Sequence, residues 1–404
     1  MARCRIPRLM TQTALSRPTA SLQALRNPSL LLASMAAGVA LSSCAYDESA
    51  KALEDAEEAP AISPIPNAVL KNELIEPGET HFKNLWQLTF GGQNAEAYWS
   101  FADDRLSLQI TEDGEGKCDR IYATGPDGTM RPISNGQGVT TCSFFMPGDQ
   151  EVLYASTQSS HASCPKWDKP NTAKGEPYTW KIWPEYDIYV AGVSDGSERV
   201  LIDGYGYDAE ATVSPRGDRI VFTSTRSGDL ELWTCDLEGG DLQQVTEELG
   251  YDGGAFFSHD GRQLVFRSTA WTPGEEAAEQ ASYLEDFQRW QVKPGKMEIF
   301  TISPDGSNRK QVTSLGGANF APYFTPDDQQ VIFSSNHHDA PGGALNFDLF
   351  LCDLDGNAVE RVTQSAYFDA FPMFSHDGRF LAFSSNRGGT KPGETNVFIA
   401  EWIE

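Results

Sequence analysis

The sequence predicts an all-β fold, a six-bladed β-propeller of four-stranded antiparallel blades, and three observations predict it. First, one pattern returns six times between Phe101 and Trp402: an apolar residue, a turn resembling Ser-Pro-Asp-Gly, then an alternating apolar strand. The clearest copies are SHDGRQLVFRS at 258–268 and SHDGRFLAFSS at 375–385, with looser ones at 214–224, 325–335 and 146–156 and the most degraded at 102–111. A unit repeated at this scale cannot bury both of its faces alone, and stacking copies of it solves that. Second, Asp-Gly or Glu-Gly pairs recur at 127–128, 195–196, 238–239, 305–306 and 355–356, each between two short strands. Such pairs suit tight hairpins, where the turn residues take positive φ. Third, the ends complement one another. The last unit stops after its third strand, TNVFIAEW, while NLWQLTF at 84–90 has the outer-strand pattern and no strands before it. Residues 83–90 are therefore expected to supply the fourth strand of the last blade and close the ring.

Each element follows in chain order. Residues 1–43 carry five arginines (Arg3, Arg5, Arg8, Arg17, Arg26) and no acid, then an apolar run from Leu30 to Leu41. That run is too short to span a bilayer as a helix, and the whole reads as a secretory signal. Leu41-Ser42-Ser43-Cys44 resembles the lipobox of bacterial lipoproteins. The resemblance implies cleavage before Cys44, a lipid on its sulfur and, with Ala45 next, a place on the periplasmic side of the outer membrane; an ordinary signal with a chance cysteine is the alternative. Without residues 1–43 the chain keeps 26 basic and 57 acidic residues, a net charge of −31. Nucleic acid and anionic lipid would be repelled, so any hold on a membrane falls to the lipid anchor. Residues 44–80, rich in Ala, Glu and Pro, read as an acidic tether, and 81–404 as the propeller.

Within the repeats, the turn motif, the Asp-Gly hairpins, and FSSN and SSNR after the second strand (Phe333–Asn336, Ser384–Arg387) are similar to the propeller repeats of the TolB family. The resemblance covers nearly all of 83–402 and implies the six-bladed fold. TolB proteins carry a further N-terminal α/β domain, which the sequence lacks, so docking to the Tol assembly through it is not implied. The same repeat type precedes hydrolase domains in prolyl-oligopeptidase-like enzymes, and none is apparent after the sixth unit.

In an up-down blade with strands a to d, the a–b and c–d turns share one rim and the b–c and d–a loops the other. The b–c connections run 157–186, 269–296, 336–346 and 386–394, against only 225–230 in the third blade, so the long insertions crowd one rim. Loops held by a rigid scaffold are where binding residues collect. Trp167, Trp180, Trp183, Trp271 and Trp290 lie in the two longest, and 275–292 has helical spacing with Leu284, Phe287 and Gln291 or Trp290 on one face. They suit either a groove for a peptide or sugar or the packing of the insertions themselves. Six residues before each a–b anchor stand Glu96, Thr140, Asp208, Asp252, Asn319 and Asp369, with Glu210 two further along. This polar ring at the channel mouth suits a divalent cation such as Ca²⁺, or a cationic peptide; turn capping is the alternative. His337 and His338 are expected to be solvated loop residues.

Five cysteines remain after Cys44. A Cys142–Cys164 bridge pinning the first insertion is expected first and Cys118–Cys142 second, with Cys235 and Cys352 as buried thiols. Gly192-Val193-Ser194-Asp195-Gly196 matches G-x-S-x-G but precedes a c–d hairpin, not the strand-to-helix elbow a nucleophile needs. The expectation is a monomeric, non-catalytic envelope module that binds a protein, peptide or glycan. The alternatives are a metal-dependent enzyme at the channel mouth, since some pectin-degrading lyases resemble this architecture, and a purely architectural component. Six histidines (His81, His161, His259, His337, His338, His376) leave few for such a metal site.

Overall fold

A computed structural model describes residues 61–404, apart from 115–116, 169, 171–177, 340–345, 367 and 404. Six antiparallel blades form a ring. Blade one is Gln93–Trp99, Leu106–Thr111, Arg120–Thr124 and Met130–Pro132. Blade two is Thr140–Phe145, Glu151–Ser156, Asp187–Gly192 and Glu198–Ile202. Blade three is Asp208–Val213, Ile220–Ser224, Glu231–Cys235 and Gln243–Gln244; blade four is Asp252–Phe257, Leu264–Thr269, Met297–Ile302 and Lys310–Gln311. Blade five is Asn319–Phe324, Gln330–Ser335, Asp348–Asp353 and Glu360–Arg361. Blade six is Asp369–Phe374, Phe380–Ser385 and Asn396–Trp402, completed by Phe82–Gln87 from the other end of the chain. The closing ladder pairs Phe82 with Trp402 and Gln87 with Phe398.

The strands are built from β-branched and aromatic residues because every blade is covered on both faces. Phe222, Phe266, Phe333, Phe383 and Phe398 are fully buried, and the b and c strands within a blade stack their rings, Phe333 on Phe350 at 6.1 Å and Phe383 on Phe398 at 6.0 Å. Truncating one such ring to alanine costs about 3–5 kcal/mol. Four of the five Asp-Gly or Glu-Gly turns, all but that at Gly196, close on a carbonyl oxygen of a neighbouring element. A Cβ on Gly128 would fall 1.9 Å from the Pro66 carbonyl oxygen, and one on Gly356 1.9 Å from that of Val312, in the preceding blade. Both glycines also have positive φ, so any other residue there is strained and displaced.

The tether expected over 44–80 ends earlier than its composition implies. Residues 44–60 lie outside the described residues, but 61–80 pack on blade six. Val69–Leu70 adds a fifth strand against Gln87 and Trp86, and Ile65 is fully buried. Glu79 is buried with Arg387 and Asp369: Arg387 donates to both Glu79 oxygens at 2.9–3.0 Å and to Asp369 Oδ2 at 3.0 Å. This segment is thus held by a short added strand, the buried Ile65 with partly buried neighbours Ala68, Leu74 and Ile75, and one ion triad.

Three a–b turns are latched by acids. Asp103, Asp149 and Asp328 stand at positive φ (56–58°) where the other turns have glycine. Asp149 accepts the Phe101 and Ala102 N–H groups of the preceding blade, Asp328 those of His259 and Asp260, and Asp103 those of His376 and Asp377, all at 2.8–3.0 Å.

Candidate functional site

The two long insertions meet. Trp180–Lys181 from blade two pairs antiparallel with Gln291–Val292 from blade four, and Ile182 N–H donates to the Trp290 carbonyl at 2.9 Å. The clasp joins two blades that are not neighbours in the ring. Helix α1, Glu276–Phe287, lies in the second insertion and is shorter than the 275–292 expected. Its packed face is Tyr283, stacked on Phe287 at 5.9 Å, whereas Leu284 is 42 % exposed; the expected face was off by one residue. Trp271 packs on Tyr283, Trp183 on His161, and Trp290 on Phe287, so these tryptophans chiefly give the insertions a core of their own. Trp167 is half-buried. Tyr205, in the d–a loop entering blade three, is 84 % exposed and stands edge-on to Trp290 at 6.0 Å; with Tyr178, 56 % exposed, it gives this rim an aromatic surface. The repeat pattern draws no attention to Tyr205, although Gly204-Tyr205-Gly206-Tyr207 is an unusual loop.

The bridge pinning the first insertion is Cys118–Cys164, with Cα atoms 5.6 Å apart, and not Cys142–Cys164. Cys142 sits on the inner strand at a bulge with φ 47°, beside Glu96 in the channel, while Cys118 lies at the end of the neighbouring blade's b–c loop. Cys235 and Cys352 are buried free thiols.

The expected ring of polar residues is a set of blade fasteners. Asp208 takes Arg226 at 2.9 Å, Asp252 takes Arg309 at 3.4 Å, and Asp369 takes Arg387. Asn319 bonds Ser335, the Met297 carbonyl and Glu298, and Thr140 donates to the Asp119 carbonyl. Each of these three carboxylates has an arginine partner from its own blade, with one oxygen of Asp252 and one of Asp369 left without a hydrogen bond, and among the described residues no three His, Cys, Asp or Glu side chains gather to hold a metal ion. Glu96 does not belong to this ring. The blade-one anchor is Ser100, whose hydroxyl accepts the N–H groups of Asp104 and Arg105 as Ser258 accepts those of Arg262 and Gln263. The ring position is therefore Asn94, which bonds the Gly91 and Thr395 carbonyls.

Glu96 and Glu210 share a different ring. Every inner strand breaks register at a bulge, and the residue there has positive φ: Glu96 53°, Cys142 47°, Glu210 58°, Gly254 60°, Ala321 49° and Phe371 58°. Bulges re-aim side chains, and five non-glycine residues held in this conformation mark stored strain. Glu210 accepts hydrogen bonds from Thr223 and Tyr251 hydroxyls at 2.7 Å, from Gly254 N–H at 2.9 Å, and from Arg267. Arg267 Nη2 also donates to Tyr251 Oη at 2.6 Å. Its guanidinium faces Tyr251 at 4.6 Å and Trp180 of the clasp at 5.3 Å. A Cβ at Gly254 would fall 2.0 Å from Arg267 Nη1, so that bulge is glycine to seat the arginine. Burial works against the Glu210 carboxylate, but Arg267 and the two hydroxyls outweigh it and hold its pKa below the usual range. Burial, with the fields of Glu210 and Asp119, pushes Glu96 up to about 7, opposed by a hydrogen bond from Cys142 and by Arg267.

One level away, Tyr98, Phe144, Phe256 and Tyr323 meet across the channel, Tyr98 on Phe256 at 5.5 Å and Phe256 on Tyr323 at 5.2 Å. Tyr98 and Phe256 belong to opposite blades, so the rings plug the channel. Glu96, Cys142, Glu210 and Arg267 thus occupy a chamber between an aromatic floor and the Trp180 clasp. The histidines stand elsewhere: His81 stacks on Trp402, His161 meets Trp183 edge-on, His259 and His376 sit in a–b turns, and His337 and His338 pack on Phe350. The last two are therefore half-buried rather than solvated, and burial lowers both pKa values. Ser194 lies in the c–d turn of blade two, as expected.

Residues 287–393 match a family model described as the TolB beta propeller domain. The fold is a TolB-like six-bladed propeller. A TolB homologue of Chlorobium luteolum is 29 % identical over 157 residues, 34 % of this chain and 35 % of its own. The Tol-Pal system protein TolB of Wolinella succinogenes is 21 % identical over 226 residues, 55 % of this chain and 47 % of its own. The chain thus spans about a third to a half of the length of these relatives. Among solved structures, the gluconolactonase XC5397 of Xanthomonas campestris superposes with a TM-score of 0.52 at 14 % identity, covering 85 % of this chain and 99 % of that one, a likeness of fold alone. The TolB-like propeller here differs from a bare ring in its clasped insertions.

Proposed function

We propose that this protein is a non-catalytic recognition module of the cell envelope, held by a lipid on Cys44 at the periplasmic side of the outer membrane and binding a protein partner through its insertion rim. The observation that carries the reading is the clasp: two insertions from separate blades pair across the ring, build their own aromatic core, and leave Tyr178 and Tyr205 in solvent. Exposed aromatics on a rigid support are what binding surfaces are made of. The relative from Wolinella, a Tol-Pal system protein, supports a protein partner in the same compartment. Photo-crosslinkers at Tyr205 and, as control, at Asp260 on the opposite rim test it in living cells. We expect a discrete adduct from Tyr205 alone, weakened about tenfold or more by Tyr178→Ser, the scale of a lost interface anchor. Equal adducts from both rims, or none from either, would sink the reading, and a Cys44→Ala variant still sedimenting with outer membranes would sink the anchor.

A further inference from the structure

We propose that the chamber receives a primary ammonium group, from a lysine side chain or an amino terminus of the partner, with the open edge of Glu96 as its counter-ion. This rests on the recognition reading of the insertion rim and says what that rim admits. The chamber has two carboxyl groups and one arginine facing each other. Glu210 is fully used by Arg267, Tyr251, Thr223 and the Gly254 N–H. Glu96 is not: its Oε2 is shut off from solvent and has no hydrogen-bond partner among the described residues. The Nε–H of Arg267, a residue only 6 % exposed, likewise has no acceptor. A buried polar atom left without a partner costs about 1–3 kcal/mol, so two of them in one strained, bulge-built chamber call for an occupant.

The chemistry of the walls selects it. An anion would meet Glu96, Glu210 and Asp119 together. An apolar group would leave both orphan atoms as they are. A divalent ion needs several free oxygens, and those of Glu210 already accept from four donors. An ammonium group supplies donors to Glu96 and balances its charge where, among the described residues, no other cation but Arg267, already committed to Glu210, stands near. The carbonyl of the same peptide suits Arg267 Nε–H.

The test uses the full chain and defined probes: N-acetyl-lysine methylamide, alanine methylamide for an amino terminus, and N-acetyl-norleucine methylamide as the uncharged match, followed by calorimetry and tryptophan fluorescence. We expect one of the two amines to bind and norleucine not to. Glu96→Gln, which keeps the shape, should weaken the amine by roughly thirtyfold or more, the scale of removing one member of a buried charge pair. The charged groups facing Glu96 are Glu210, Asp119 and Arg267, with Cys142 and Tyr98 beside it. Its carboxyl gains its charge near pH 7, so affinity for the lysine probe, whose ammonium stays charged throughout, should rise about tenfold from pH 6 to pH 8, the ratio of ionised fractions. Equal binding of amine and norleucine, no binding of either, or an unchanged affinity in Glu96→Gln would overturn the proposal, leaving the chamber to water alone. Adducts at Tyr205 that persist at full yield in Glu96→Gln would overturn it too and leave the rim reading standing. Amine binding that Glu96→Gln abolishes, in a protein that forms no adduct, would uphold the chamber and sink the rim reading.

Discussion

Two sets of acids in this propeller stand in the same backbone conformation and meet opposite fates. On the short-turn rim, Asp103, Asp149 and Asp328 have φ of 56–58°, and each carboxylate closes on two N–H groups of the neighbouring blade. In the channel, Glu96 and Glu210 have φ of 53° and 58°, and one oxygen of Glu96 closes on nothing. The first set ties the ring together. In the second, Glu210 is matched by four donors, whereas Glu96 carries comparable backbone strain with one oxygen left without a partner, and that asymmetry locates a site better than composition does.

The largest break in this comparison is expected from Asp149→Ala. It removes a buried carboxylate from two backbone N–H groups and Arg105, and should cost about 2–3 kcal/mol in urea unfolding. A loss below the error of the measurement would remove the latch from the account. A smaller effect is expected from Asp328→Asn, read as a function of pH. Burial opposes the Asp328 carboxylate, but the His259 ring and the two N–H groups outweigh it and lower its pKa. Stability from a lowered acid is present above the unfolded value, near 3.9, and is lost as pH falls through the folded one. The wild type should therefore lead the variant by about 1 kcal/mol at pH 7, and the lead should shrink below about pH 4. A constant difference from pH 3 to pH 7 would contradict the latch as drawn. The smallest effect belongs to Glu96→Gln. A raised acid contributes stability that is present below its unfolded pKa and lost as pH rises through about 7, so Gln should be neutral near pH 5 and no worse than about 0.5 kcal/mol, or better, at pH 8. A loss at pH 8 as large as that of Asp149→Ala would make Glu96 a structural residue and erase the contrast.

Much of the fold was legible because a repeat states its own boundaries. The turn motif and the missing fourth strand placed the closure of Phe82–Gln87 on Asn396–Trp402, and loop lengths placed both insertions on one rim. The site was less legible, for definite reasons. Blade one hides its anchor, since Ser100 precedes Phe101-Ala102-Asp103 with no glycine, and counting from Ala102 put Glu96 in the wrong ring. The bulge that aims Glu96 and Cys142 into the channel leaves no mark in the residue pattern, as Glu, Cys, Gly, Ala and Phe all occupy it. The bridge depended on which way Cys142 points, which the same bulge decides. The charge on the ring was visible, but its cancellation was not, because the arginines come from two different places in the repeat: Arg226 and Arg387 from b–c loops 18 residues on, Arg309 from a c–d turn 57 residues on.

The Asp-Gly turns have a consequence for how such a ring changes size. At Gly239, Gly306 and Gly356 the room for a side chain is taken by a carbonyl oxygen of the blade before, and at Gly128 by that of Pro66 in the N-terminal segment, 1.9–2.9 Å from where Cβ would be. The missing atom therefore serves an adjacent unit. Gene segments duplicated or deleted a whole blade at a time would carry lock and key together, whereas a cut within a blade would part them, so viable length variants of this chain should differ by complete units.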